Sequence, residues 1–167
     1  MKRPLVALVI ACLLIATAGP VALARTTMIE VVGTASPVAP PYPGTTTTHG
    51  NIVVTRGFKD AQQSDPAVTN SPYVAGYQED VVNWIGDTKT NRGVLWGTGV
   101  HRPTLYPDAT WECAFVGMFV DFAHGVWTGK GACHGTGTLQ GWQWRADISS
   151  TSNGGTAMHG YIFFPGQ

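Results

Sequence analysis

The chain has 167 residues, ten Lys and Arg against ten Asp and Glu, 12% charged residues in all, and 21 Gly, 11 Pro and six Trp. That length builds one closed core and not two. With no positive excess the chain lacks the counterion-release term that drives nucleic-acid binding, and it has no basic amphipathic helix to grip an anionic membrane, so neither partner is expected.

The N-terminus reads as a secretory leader. Lys2 and Arg3 precede an apolar run from Leu5 to Ala18, Gly19-Pro20 breaks it, and Ala22-Leu23-Ala24 forms a small-x-small site. This pattern predicts a signal peptide over residues 1–24, cleaved after Ala24. The run falls short of the roughly 20 residues that a spanning helix needs, so no stable membrane insertion is expected after cleavage. Cys12, following Val9-Ile10-Ala11, is the alternative, as a lipid attachment point; either route exports the protein to the periplasm or beyond. Removing the leader takes away Lys2, Arg3 and Cys12, leaving eight basic against ten acidic residues, a formal charge of −2, and two cysteines.

Beyond the leader no window of ten residues keeps apolar side chains at helical spacing, whereas Gly, Thr and aromatic residues recur throughout. The class is therefore all-β. Strands bounded by Gly, Pro, Asn or Asp are predicted over Thr27 to Gly33, Asn51 to Lys59, Tyr73 to Ile85, Gly93 to Arg102, Trp111 to Phe122, Gly125 to Gly135, Leu139 to Ser150 and Thr156 to Phe164. Residues 25–50 read as an N-terminal strand followed by a Pro/Thr-rich loop, whose prolines cannot donate to a ladder. Residues 51–167 supply the remainder of the same domain.

The most specific local feature is the placement of Cys113 and Cys133 at equal distances from Ala123. A hairpin folded about Ala123 opposes the two sulfurs, Phe115 with Gly131, Phe119 with Trp127, Glu112 with His134 and Val120 with Val126. Opposed residues in an antiparallel pair lie about 4.5–5.5 Å apart at Cα, within disulfide reach, and an exported protein is where such a bond persists. An aromatic ring such as Phe115 also suits a bare cross-strand glycine such as Gly131. In the strand after it, Trp142, Trp144, Ala146 and Ile148 share one face, and Gln143, Arg145 and Asp147 the other. The segment from Ala114 to Phe122, in contrast, is apolar on both faces, which points to a covered outer surface and a homo-oligomer.

The sequences Trp96-Gly97-Thr98, Thr110-Trp111-Glu112, Thr128-Gly129-Lys130, His134 to Gly141 and His159-Gly160-Tyr161-Ile162 resemble bacterial secreted proteins of the allene oxide cyclase barrel-like group, relatives in fold of plant allene oxide cyclases and dirigent proteins. The similarity spans most of the chain after the leader. It implies a single eight-stranded antiparallel β-barrel, often trimeric in the plant members, with a lumen able to hold an apolar ligand. No catalytic residue of the plant cyclase aligns with a named position here.

Chemistry read from the residues themselves is sparse. Glu112 and His134, opposed on one face, suit a general base and its orienting partner, although such a pair is more often a cross-strand ion pair near a strand end. His49, His101, His124 and His159 have no metal-ligand spacing, so no metal is expected. His101, with Arg102 and Tyr106 near it, suits an anionic head group, but Pro103 and Pro107 mark it as a strand end. There is no GxSxG, no SxxK and no phosphate loop leading into a helix, so no cofactor is expected; the glycines from Gly129 to Gly141 read as close-packing sites. Glu79 and Asp80 are adjacent and point to opposite faces, which rules them out as a glycosidase pair, and Asp87, Asp108 and Asp121 read as turn residues. Trp84, Trp96, Trp111, Trp142 and Trp144 read as core or interface rather than as sugar-stacking platforms.

These features lead to an exported barrel that binds a small apolar or amphipathic ligand without catalysis. The alternatives are an isomerase or cyclase that templates a bound substrate, with Glu112, His134 or Arg145 as polar participants, and an interaction protein using its aromatic outer face.

Overall fold

The computed structural model describes residues 27–164, so the leader and the Cys12 alternative lie outside the described residues. Among the described residues nine strands form one antiparallel sheet: β1 (Thr27–Pro37), β2 (Thr45–His49), β3 (Ile52–Ser64), β4 (Gly76–Asp87), β5 (Arg92–Pro103), β6 (Trp111–Asp121), β7 (Val126–Gly135), β8 (Gln143–Ser150) and β9 (Thr156–Phe164). Their order is β1-β9-β8-β7-β6-β5-β4-β3-β2, and a further β1–β3 pairing closes eight of them into a ring with β2 appended to β3. From β2 to β9 each strand pairs with the next in sequence, as short connections favour, whereas β1 pairs with β9 and β3 and not with β2.

The closing seam is narrow. Ala35, Ser36 and Pro37 of β1 pair with Ser64, Gln63 and Gln62. Beyond them Val38 N–H donates to Ala61 at 3.1 Å, and Tyr42 exchanges hydrogen bonds of 2.8 and 2.9 Å with Lys59. Pro40, Pro41 and Pro43 have no N–H to add, which is why this crossing is held at isolated points.

Part of the predicted Pro/Thr-rich loop is a strand. Thr45–His49 pairs with β3 through a tight turn in which Gly50 takes φ 61°. All five residues of β2 are exposed, so it has no buried face and gives no apolar alternation; β-branched Thr and the turn glycine form it instead. β3 also runs on to Ser64, past the predicted end at Lys59, because its polar second half faces the interior. β8 begins at Gln143 rather than Leu139, since Gly137–Leu139 forms a 3₁₀ turn that buries Leu139 completely. The Thr156–Phe164 strand has the predicted bounds.

In the β6–β7 hairpin Cys113 opposes Cys133, Glu112 opposes His134 and Phe119 opposes Trp127. A bulge next to the turn then pairs Asp121 with Val126, so the expected Val120–Val126 pair does not form. The disulfide joins Cys113 and Cys133. The Phe115 ring covers Gly97 on β5, its other cross-strand neighbour, rather than Gly131, whose missing side chain would meet only Ile148.

One part of the interior is solidly packed by Val31, Val74, Trp111, Leu139, Trp144 and Ile162. Trp111 is fully buried and its indole N–H donates to the Tyr73 carbonyl at 2.8 Å, so the large ring leaves no polar atom unsatisfied there. Among the described residues no helix is long and apolar enough to cross a membrane.

Candidate functional site: a carboxyl pair in an apolar cavity

Alternation along β4 sends Gln78, Asp80, Val82 and Trp84 into the ring and leaves Glu79 and Val81 outside, with Glu79 paired to Arg102 at 2.9 Å. On β3 the first half puts odd-numbered residues inward, with Thr55 1% exposed. Continued unchanged, that parity would bury Lys59 and expose Asp60. A bulge between Thr55 and Phe58 reverses it. Gly57 sits in this bulge at φ 67°, a conformation that glycine adopts without penalty, and its N–H donates to Asn83 Oδ1 at 3.0 Å. Beyond the bulge Phe58, Asp60 and Gln62 face inward, with Asp60 opposite Asp80 and Gln62 opposite Gln78.

Each glutamine supports one carboxyl. Gln62 Nε2 donates to Asp60 Oδ2 at 2.8 Å, and Gln78 Nε2 donates to Asp80 Oδ2 at 2.6 Å. The remaining oxygens, Asp60 Oδ1, Asp80 Oδ1 and Gln62 Oε1, are buried with no hydrogen-bond partner. Gln62 and Asp80 are only 4% and 7% exposed. Burial, and next the neighbouring Asp60 carboxylate, push Asp80 up to about 7 against the opposing Gln78 hydrogen bond. Burial raises Asp60 too. Two like charges in a dry site cannot both form cheaply, so the pair keeps a proton toward neutral pH.

His101 occupies the same inner face of β5, fully buried, with both ring nitrogens unpartnered. Burial lowers it to about 4; the nearby Val74 backbone opposes the shift without meeting hydrogen-bond geometry. The ring is therefore neutral at pH 7, as a residue held for shape inside a core and not as an anion-binding cation. Its neighbour Arg102 points outward, which separates the two groups that adjacency in sequence had placed together.

Asp80 lies against Gly99, its partner on β5, where a Cβ would overlap Asp80 Oδ1. Gly99→Ala is expected to turn the carboxyl out of this niche, breaking the Gln78 hydrogen bond at a cost of about 1 kcal/mol, the scale of a displaced rotamer. The Asp80 carboxyl signal in a pH-resolved NMR or infrared titration should move toward the ordinary carboxylate range. An unchanged titration would show that the niche does not set the group's environment.

The pair opens on a cavity of about 580 Å³ inside the ring. Phe58, Trp84, Phe115, Phe119, Trp127 and Trp144 supply its aromatic wall, and the disulfide lies on it as well. Among the described residues the lining contains no Lys or Arg. No three His, Cys, Asp or Glu side chains among the described residues gather as a metal site would need.

The residues singled out from sequence lie elsewhere. Glu112 and His134 meet at 3.0 Å, but on the outer face, with side chains 54% and 67% exposed. Arg145 is also outside, 6.0 Å from the centre of the Phe163 ring. Glu112→Gln is expected to change stability by roughly 0.2–1 kcal/mol in a denaturant titration, the size of a solvated cross-strand pair; a loss several times larger would contradict that placement. Trp111 and Trp144 are core, while Trp96 lies on the outer face. Also outside, Val94, Val116, Met118, Val120 and Val126 are exposed side by side on β5–β7. Asp87 and Asp121 accept turn hydrogen bonds from the Lys89 and His124 N–H groups, whereas Asp108 accepts from the hydroxyl of Thr138, 30 residues away.

Asp60, Gln62 and Gln78 were not candidates, and Asp80 was judged only against its neighbour Glu79. The mirrored spacing of Asp60-x-Gln62 and Gln78-x-Asp80 is the sequence signal that points to the site, since two facing strands repeat the same polar step in opposite directions. No protein-family model matches the chain, and neither does any curated protein.

Proposed function

We propose that the protein is an exported eight-stranded antiparallel β-barrel, of the allene oxide cyclase-like kind, that holds a small apolar or amphipathic ligand in its lumen. One observation carries the reading: a cavity of about 580 Å³ with an aromatic wall and a few convergent polar groups. Ligand pockets occupy about 300–1,000 Å³ and have this composition. Export is supported by the leader pattern and by the Cys113–Cys133 bond, which oxidising compartments preserve. The exposed Val94, Val116, Met118 and Val120 strip supports self-association of the exported protein.

Native mass spectrometry of protein purified from its own host is expected to find a small-molecule mass released on denaturation. The stripped protein is then expected to take up a neutral hydrophobic dye such as Nile red, in competition with that molecule. A stripped, folded protein that takes up neither would overturn the reading.

A second reading, an isomerase or cyclase, is supported by the Asp60–Asp80 pair. A buried carboxyl with its pKa near 7 is suited to deliver a proton to a bound substrate at neutral pH. In that reading Asp80 takes the polar role that sequence gave to Glu112, His134 and Arg145, and turnover of the captured molecule, lost in Asp80→Asn, distinguishes enzyme from binder.

A further inference from the structure

The polar end of the cavity is unbalanced in hydrogen bonding and in charge. Once the carboxyl pair is ionised, Asp60 Oδ1, Asp80 Oδ1 and Gln62 Oε1 are all acceptors, and none has a hydrogen-bond partner. The two aspartates are opposed in direct register on the inner face of neighbouring strands, with Gln62 two residues along β3 on the same face, and all three line the cavity, Asp80 Oδ1 lying on the Gly99 side of its carboxyl. Gln62 is independent of the carboxyls as evidence: its amide spends Nε2 on Asp60 and leaves its oxygen unpartnered in a side chain 96% buried, since 4% is exposed. Buried acceptors left this way cost about 1–3 kcal/mol each, a cost that folds retain where something supplies the donors.

The missing partner is defined by subtraction. It brings several N–H or O–H donors, no acceptor that would face the carboxyls, and positive charge, because no Lys or Arg among the described residues lines the cavity. A hydroxyl supplies one donor and no charge, and a carboxylate would be repelled. A primary ammonium supplies three donors and no acceptor. The rest of the wall is mostly apolar, which accommodates an apolar chain, and its aromatic rings attract a cation at its approach.

Resting on the reading of the cavity as a ligand site, we propose that its ligand class is amphipathic primary amines, with the ammonium head set among Asp60, Asp80 and Gln62 and the apolar body among Trp84, Phe115 and Phe119. Binding ionises the carboxyl pair and releases the proton it holds. The titratable groups facing the pair from the strands around it are the two carboxyls themselves and His101, which stays neutral through the range used below; Pro37, Ala39 and Pro41 face it across the seam and carry no charge.

The test is isothermal titration calorimetry of the full, disulfide-bonded exported protein with n-octylamine, 1-octanol and octanoate, which share one chain and differ in head group. At pH 8 octylamine is expected to bind at least tenfold more tightly than 1-octanol, and octanoate more weakly than either. Octylamine affinity should fall severalfold between pH 8 and pH 5.5, with proton release visible as a buffer-dependent enthalpy. In Asp60→Asn/Asp80→Asn the advantage of the amine over the alcohol should vanish. Equal binding of octylamine and 1-octanol by the native protein overturns the assignment and leaves the apolar ligand site standing, and the comparison needs no variant to fold. Failure of all three ligands, together with exclusion of Nile red, overturns both.

Discussion

Replacing Asp80 by Asn is expected to stabilise the protein at pH 8 by on the order of 4 kcal/mol and to change little at pH 3. In the folded protein the carboxyl titrates near 7 instead of 3.8, and each pH unit of difference is worth about 1.4 kcal/mol. Between those values the folded state holds a proton that the unfolded chain has lost, so stability is fullest below pH 3.8 and declines as pH rises toward 7. Asn keeps the shape and removes the charge, and with it the decline. His101 has the opposite sign: it titrates near 4 when folded against 6.5 ordinarily. The unfolded chain gains that proton first, so stability is lost as pH falls from 6.5 toward 4.

The two windows overlap, and their slopes offset each other between about pH 4 and 6.5. Asp60, raised by burial, adds to the Asp80 side. The native protein should therefore show a shallow pH profile over this range, whereas Asp60→Asn/Asp80→Asn should lose stability steeply on acidification, with His101 unopposed. The exposed carboxylates Asp87, Asp108, Asp121 and Asp147, held below the usual range chiefly by hydrogen bonds, contribute a further loss only at lower pH. Urea unfolding at pH 3, 5, 6.5 and 8 measures all of this. An Asp80→Asn gain that is the same at pH 3 as at pH 8 would mean that charge is not the cause.

Removing the cross-strand bond is the second large effect. Cys113→Ala/Cys133→Ala, or reduction of the native protein, is expected to cost about 3 kcal/mol, the chain-entropy value for closing a loop with a sequence separation of 20. For a domain of this size that lowers Tm by about 10 °C. The hairpin should still form, since every pair from Trp111–Gly135 to Phe119–Trp127 is registered by its own backbone ladder. Because both sulfurs line the cavity, the alanine variant also enlarges it, and reduced protein and double variant should differ in Nile red uptake although they match in stability. Denaturation midpoints that are indifferent to reductant would show that the bond contributes no constraint.

Much of the fold was legible because β-structure writes itself into sequence with a period of two. The alternation of Trp144, Ala146 and Ile148 with Arg145 and Asp147 named the inner face of β8, and the mirrored cysteines set the β6–β7 register. Alternation also separated Glu79 from Asp80. It had nothing to say about β2, where Thr45–His49 buries no side chain and so leaves no contrast between faces.

The candidate site was illegible for a different reason. Whether Asp60 or Lys59 enters the interior depends on one inserted residue beside Gly57, which reverses the parity of β3 halfway along. Glycine in a strand announces a bulge, a bend or a close approach alike, and only the pairing of β3 with β4 decides among them. The same parity that makes strands readable makes the reading fail at the first bulge, because a shift of one residue exchanges the two faces. The chain by itself thus determined an all-β domain, its disulfide and the register of its central hairpin, since these follow from neighbours along one or two strands. The opposed carboxyls, the burial of His101 and the cavity were decided by closure of the ring, which brings β3, β4 and β5 to a common interior and excludes the water that would otherwise have kept their charges ordinary.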